Sequence, residues 1–392
     1  MEKQIKSICF ILFGYPTKNN HTNIFVKQLI YELSDMGIEC TVISPYSLSH
    51  RLKYKNEKIP TVRDEITPSG NKIHVYAPRY ISLSSTKTSL KLTELTFKKA
   101  VFKAFKKKNI KVDAVYGHFI YPSGLSTTYI KDKLSVPAFL ACGENSNKLE
   151  SKDDIYFYGL DKCSWKKKLS KLNGIISVSS ENKRLLIDND FVNKNFESHI
   201  EVFPNGTNNK RFYKMDRTLI RKELGIPQDI FIVIYTGAFS DRKGSKRLSN
   251  ALNRFDDVYS IFIGEGSHEP ICNNILFKGR VSHDNIVKYL NAADVFVLPT
   301  LAEGCCNAIV EALACGIPVI SSNKNFNDDI LNNFNSIRID CNNVNEIYSA
   351  ISLLKDNNEL RTELSMGALK SSENLNLNQR ALNILKFMER SI

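Results

Sequence analysis

No stretch of the 392 residues approaches the roughly 18–20 consecutive apolar residues that a membrane span requires. The longest apolar run near the start, Ile8–Phe13, passes directly into Gly14-Tyr15-Pro16. It is too short for the apolar core of a secretory leader, so none is expected. None of the nine cysteines forms a C-x-x-C pair, the number is odd, and Cys9, Cys40 and Cys142 sit in apolar segments. That pattern fits reduced thiols in the cytoplasm better than disulfides or zinc. Internal repeats are absent, low complexity goes no further than a general Asn, Lys and Ile richness, and no D-x-D-like pair is defensible as a metal site. Basic strands with interleaved aromatics are also lacking, which argues against a nucleic-acid module. Acidic residues fall well short of basic ones in the first half. Residues 1–200 hold 32 Lys and Arg against 19 Asp and Glu, whereas the remainder has 22 of each, so the whole net charge of +13 lies in the first half. Such a field either attracts an anionic partner, for example an anionic membrane or a phosphorylated substrate, or reflects lysines scattered over a solvated surface.

What is present is an ordinary globular composition, 42 % hydrophobic and 24 % charged, in a length suited to two or three domains. Short apolar runs alternate with helical patterns. Strands are predicted at Ser7–Phe13, Glu39–Ser44, Asp113–Tyr116, Val136–Ala141 and Gly174–Val178, and then near 230–236, 258–263, 294–298 and 318–321. Residues 23–36 carry apolar side chains at 25, 26, 29, 30 and 33, a helical stripe closed by Gly37. Ser179 or Ser180 suits a helix N-cap. This alternation predicts an α/β protein with parallel sheets. The polar, turn-rich segment between Phe203-Pro204-Asn205-Gly206 and Pro227 divides it into two domains. The expected boundaries are 1–208, 209–375 and a C-terminal helix at 376–392 that crosses back to the first domain. Doubly wound sheets bind ligands outside the carboxyl ends of their strands, so a cleft between the domains is expected to hold the site.

The most informative string runs from Ala293 to Val319. An apolar strand ends at Pro299, a loop carries Glu303-Gly304-Cys305-Cys306, and a helix opens near Asn307. N–H groups at a helix start favour an anion, and Gly304 permits close approach of a ligand. Glu303 and Glu311 flank that helix start and are placed to accept hydrogen bonds from sugar hydroxyls. The alternative is a helix with one glutamate near its dipole and another on its solvent face. Earlier in the chain, Gly237-Ala238-Phe-Ser-Asp-Arg242-Lys243-Gly244 joins a strand to a helix. A glycine turn with two adjacent cations suits a pyrophosphate, although an ordinary connection with solvated cations would read alike.

These segments resemble the GT4-type retaining glycosyltransferases, the glycosyl transferases group 1 with the GT-B fold, in which two Rossmann-like domains face a central cleft. Glu303 and Glu311 match the family's E-x7-E motif. The resemblance implies that Glu311 binds the nucleotide ribose and Glu303 the donor sugar hydroxyls, with Gly304, Cys305, Cys306 and Asn307 supplying backbone donors. It implies that Lys243 contacts the donor phosphates beside Gly237. Many members carry an arginine where this chain has Ala238, a role that Arg242 is placed to fill. Arg280 and Val281, in Phe277-Lys-Gly279-Arg280-Val281-Ser-His283, are implied near the base, and His283 reads as a helix-start residue. In the first half the match is looser. Gly14 corresponds to a glycine near the donor phosphate. His118, in Asp113-Ala-Val-Tyr-Gly117-His118, follows a strand, and related enzymes place such a histidine near the reacting sugar. There it would bond a hydroxyl or adjust charge near neutral pH. Cys142-Gly143-Glu144-Asn145 departs from the family's His-Gly-x-x-Asp-like segment, which implies a different acceptor arrangement.

The implied activity is transfer of a sugar, with retention, from a nucleotide-diphosphate-sugar (UDP or GDP) to a cell-surface polysaccharide or glycolipid precursor, by a cytoplasmic enzyme that needs no metal or other cofactor. In this family attack is on the front face, and the leaving phosphate takes the acceptor proton. A lipid-linked acceptor at an anionic membrane would account for the basic first half. Two other functions share the fold: a nucleotide-sugar epimerase or glycoside phosphorylase, and a catalytically silent nucleotide-sugar-binding subunit.

Overall fold

Residues 4–17, 23–47, 59–82, 87–150 and 162–392 are described by a computed structural model. They form two units, Met1–Phe203 with Arg380–Ile392, and Pro204–Gln379.

The first unit is built on the apolar runs. β1 (Ser7–Leu12) is buried from its second residue onward. It lies between β2 (Glu39–Ile43) and β7 (Ala114–His118), both parallel to it. Two short strands, β3 (Tyr46–Ser47) and β6 (Arg79–Tyr80), pair with each other. With β4 (Val62–Ile66), β5 (Lys72–Tyr76), β8 (Ala138–Cys142), β9 (Gly174–Ser177) and β10 (Ile200–Val202), the main sheet runs β10-β9-β8-β7-β1-β2-β5-β4. Every pairing is parallel except β4 with β5. The helix Ile24–Asp35 buries Val26, Leu29, Ile30 and Leu33, as its stripe predicts, and Gly37 follows at φ 88°. Ser179 caps the helix Ser180–Asp188 by accepting from the Asn182 N–H.

Besides the short strands β3, β6 and β10, three features escaped the sequence pattern. The β4–β5 hairpin sits at the sheet edge with alternating exposure, so it contains no apolar run. The helix Lys87–Lys108 buries Phe97, Ala100, Val101, Ala104 and Phe105 on one side, while scattered lysines mask the period. And β7 runs on to His118 where the sequence pattern ends it at Tyr116, so the histidine is the strand's last residue.

The second unit contains six parallel strands: β11 (Phe231–Thr236), β12 (Val258–Ile263), β13 (Ile275–Gly279), β14 (Val295–Leu298), β15 (Val319–Ser322) and β16 (Ser336–Ile339). Their order is β13-β12-β11-β14-β15-β16. β13 and β16 are the edge strands, and neither was predicted: β13 alternates half-buried with exposed positions, and β16 is half-buried at its centre. Counted within the unit the order is 3-2-1-4-5-6, the Rossmann arrangement, and its direction reverses between β11 and β14. In the first unit the reversal falls between β1 and β7. The loops after these four strands are therefore where a ligand site is expected. Each unit is a Rossmann-like α/β layer structure.

Candidate functional site

In the second unit, the loop after β11 carries Gly237 to Gly244 and the loop after β14 carries Pro299 to Cys306. The first loop is pressed onto its neighbours. Gly264 has φ 155°, and a Cβ there would meet the Gly237 carbonyl oxygen at 1.9 Å. The loop after β12 thus depends on glycine to let the two backbones meet. Gly237 has φ 154° and stands beside the Lys243 stem.

The two loops join through Glu303, which is 6 % exposed. Its Oε1 accepts from Arg242 at 2.7 Å, Lys243 Nζ at 2.7 Å and Thr300 Oγ1 at 2.8 Å. Arg242 also donates to the Ala302 carbonyl at 2.6 Å, and its own carbonyl accepts from the Leu301 N–H at 2.8 Å. Burial works against the Glu303 carboxylate, yet Lys243 and Arg242 hold it below its ordinary value. Burial likewise opposes the Lys243 ammonium, which facing Cys306 and Glu303 stands above its ordinary value. The Cys306 thiol, 3.6 Å from Lys243 Nζ, is itself raised by burial despite that lysine, so it is neutral and Glu303 is the lysine's charge partner. A buried neutral thiol is a poor nucleophile.

Cys306 is the N-cap of the helix Asn307–Ala314. Gly304 is buried in the loop before it. Cys305 is held by Asn205, whose Nδ2 donates to the Cys305 carbonyl at 3.0 Å. About one turn into the helix, Glu311 accepts from or faces His283 Nε2 at 3.2 Å, depending on the tautomer. His283 opens the helix His283–Ala292, and its ring lies edge-on to Phe212 at 5.4 Å. It is therefore more than a helix-start residue: it fixes the orientation of the Glu311 carboxylate. Arg280 is exposed and pairs with Glu265, while Val281 packs on the unit's core. Ala238 offers its carbonyl to the Tyr235 hydroxyl at 2.7 Å.

The structure thus gathers Gly237, Arg242, Lys243, Glu303 and Cys306 in one cluster, and links Glu311 to His283. Arg280 and Val281 stand apart from that cluster's hydrogen bonds. Sequence reasoning passed over Thr300, which bonds Glu303, and Asn205. Asn205 has no local signature, because its partner is 100 residues away, whereas Thr300 stands only 3 residues before Glu303, inside the string already singled out.

In the first unit, Gly14 has φ 81° and lies two residues beyond Leu12, the register partner of His118. Both residues therefore belong to the same edge of the sheet. His118 is 2 % exposed. Burial first, and then the Arg380 charge, lower its pKa to about 3. The expected adjustment of charge near neutral pH does not hold: the ring is neutral there and can act only by hydrogen bonding. Among the described residues no three His, Cys, Asp or Glu side chains gather as metal ligands, and no helix is long and apolar enough to cross a membrane.

Residues 216–371 match the family model of glycosyl transferases group 1. Over 329 residues, covering 80 % of each chain, the sequence is 29 % identical to the "Putative teichuronic acid biosynthesis glycosyltransferase TuaC" of Bacillus subtilis. It is 26 % identical over 207 residues (47 % of this chain, 52 % of the relative) to the UDP-Gal:alpha-D-GlcNAc-diphosphoundecaprenol alpha-1,3-galactosyltransferase of Escherichia coli. The structure of Anabaena HepE in complex with UDP superposes with a TM-score of 0.73 at 15 % identity, covering 97 % of this chain and 98 % of that one. Residues 216–371 thus resemble a glycosyl transferases group 1 domain, and the two Rossmann-like units share the fold of the HepE structure.

Proposed function

We propose that the chain is a retaining, GT4-type hexosyltransferase. It moves a sugar from a UDP- or GDP-sugar to a cell-surface polysaccharide or glycolipid precursor, without a metal. The observation that carries this reading is the buried Glu303–Lys243–Arg242 cluster at the point where the Rossmann strand order reverses. Two cations and the start of the helix Asn307–Ala314 supply positive potential for the departing nucleoside diphosphate. Glu303 keeps a second oxygen for a sugar hydroxyl, and Glu311, oriented by His283, accepts from the ribose. Gly14 and His118 act on the donor from the first unit, His118 through a neutral imidazole, and Arg280 and Val281 lie by the base. Support for the acceptor class comes from the relative named for teichuronic acid biosynthesis and the one whose name carries a diphosphoundecaprenol acceptor. UDP in the HepE structure supports a uridine donor.

A thermal-shift series with UDP, GDP, ADP and CMP tests the donor site. One nucleoside diphosphate is expected to raise Tm by several degrees at millimolar concentration, since it binds only the folded chain. Glu311→Ala is expected to abolish that shift. No shift with any of them in well-folded wild type would overturn the assignment.

The membrane is approached through the first unit. On the helix Lys87–Lys108, Leu92 (37 % exposed) and Leu95 (39 %) share a face with the exposed Lys91, Lys99, Lys103 and Lys106. Ile81, 47 % exposed, is tied to this helix by the Thr96 hydroxyl, 2.6 Å from its carbonyl. Apolar side chains ringed by lysines suit an anionic lipid surface. The chain should co-sediment with vesicles containing phosphatidylglycerol at low salt and not with phosphatidylcholine alone. Changing both Leu92 and Leu95 to serine should remove most of the bound fraction, and unchanged sedimentation would refute this face.

A further inference from the structure

His118 is held by its surroundings with unusual closeness. Its Nδ1 faces the Tyr116 hydroxyl at 3.5 Å, and its ring lies edge-on to Phe25 at 5.2 Å and to Phe119 at 4.6 Å. Gly143 stands at the Nε2 end of the ring: a Cβ there would lie 3.3 Å from His118 Nε2 and 3.2 Å from the Phe119 ring, so glycine keeps space beside that nitrogen. Nε2 is buried with no hydrogen-bond partner. A buried nitrogen left unpaired is costly, which is expected where a ligand completes the bond.

Phe119 pays for this arrangement with its backbone, at φ 64° and ψ 148°. A non-glycine residue persists there only when its neighbours over-determine it. Three hydrogen bonds do so. The Phe119 N–H donates to the Ala141 carbonyl at 2.9 Å, and its carbonyl accepts from the Gly124 N–H at 3.0 Å. On the C-terminal side, the Ile120 N–H donates to Glu144 Oε1. Glu144 is 4 % exposed and its Oε2 has no hydrogen-bond partner. Its backbone is pinned in turn, since Asn182 Nδ2 donates to the Glu144 carbonyl at 2.9 Å. A buried carboxyl with one oxygen unpaired is expensive for a site that needed only packing.

We propose that Glu144 is a positioning residue for His118: by holding the Ile120 N–H it keeps Phe119 at positive φ, and the Phe119 ring and Gly143 then set the imidazole with Nε2 free for a substrate hydroxyl. Its functional consequence rests on the reading of His118 as a sugar contact. The charged and titratable groups bearing on the ring are Tyr116 on its own strand and Arg380 of the C-terminal helix. Neither is altered by changing Glu144, so any movement of the ring's titration reports the loss of its enclosure.

The test is a pH titration of the full chain labelled with ¹⁵N-histidine, with the His118 resonances assigned from His118→Ala. In the wild type His118 should remain neutral down to about pH 5. In Glu144→Ala the loop relaxes and water enters. The His118 midpoint should then rise by two units or more, toward the ordinary value of about 6.5. Glu144→Gln retains an acceptor oxygen and should keep the wild-type titration. The near-UV circular dichroism of the variant should match the wild type, as it would not if the protein were loosened throughout. Glu144→Met, which fills the volume without an acceptor, replaces the alanine variant if that one does not fold. A folded Ala or Met variant whose His118 titrates like the wild type overturns the proposal. The sugar contact fails separately: His118→Ala would then transfer sugar at the wild-type rate, whatever the titration shows.

Discussion

Lys243→Ala is expected to lower kcat/KM for sugar transfer by about 10²–10³-fold, the range seen when one preorganised charge-stabilising group is lost. Lys243 is buried, its charged form is favoured above the ordinary value, and its ammonium lies 2.7 Å from Glu303. At neutral pH it is therefore a fixed positive charge in a site with little water, where it is worth far more than a solvated lysine. Bond cleavage leaves negative charge on the departing diphosphate, and Lys243 with Arg242 is the nearest compensation. Nucleoside diphosphate binding should weaken along with transfer. Isothermal titration with the nucleotide chosen by the thermal-shift series, together with steady-state rates for the matching sugar nucleotide, measures both. Retention of wild-type kcat in a folded variant would show that this lysine does not meet the phosphates. Lys243→Arg keeps the charge but not the shape of a compact ammonium, and should recover only part of the loss.

Glu303→Gln should separate what Lys243→Ala loses together. In the ligand-free protein the Glu303 carboxylate pairs with both cations through a single oxygen and offsets one of their two charges. Removing that charge leaves Lys243 and Arg242 uncompensated, so a nucleoside diphosphate should bind about tenfold more tightly, near 1.4 kcal/mol. Transfer should nevertheless fall by about 10²-fold or more, because the sugar loses its acceptor and the cluster its geometry. The same titration and rate measurements decide it. Weaker diphosphate binding would mean that Glu303 does not compete with the phosphates for these cations. The effect carries a pH signature. The Glu303 carboxyl is held below its ordinary value, so the stabilisation from its ion pairs is complete above the ordinary carboxyl pKa. It is lost as pH falls through the lowered folded value. Across the neutral range the pair stays charged, and activity there should not be limited by its titration.

The elements around the site were legible to different degrees. β11, β12, β14 and β15 are short apolar runs that are buried along nearly their whole length, and they emerged within about a residue of their observed ends. β13 and β16 lie at the sheet edges, where only part of each strand is buried, and they gave no comparable run. The hairpin β4–β5 and the lysine-rich helix Lys87–Lys108 escaped for the same reason: exposed polar residues interrupt the apolar period. Among site residues, Glu303 and Glu311 were visible because they share one loop and one helix, and Arg242-Lys243 because they are adjacent after a glycine turn. His283 was underrated. Its partner Glu311 is 28 residues away, and nothing near it in the chain announces the pairing.

From the sequence by itself came the alternating α/β character, the two-part organisation, the family motif and the one-sided charge. All of these rest on local periodicity or on residues close together in the chain. The tertiary structure alone decided that the strand order reverses between β11 and β14 and that Glu303 is neutralised by cations about sixty residues earlier. It also decided that His118 is buried deeply enough to stay neutral. Sheet order brings distant loops to one edge, and only their packing fixes how much water and which charges each side chain meets.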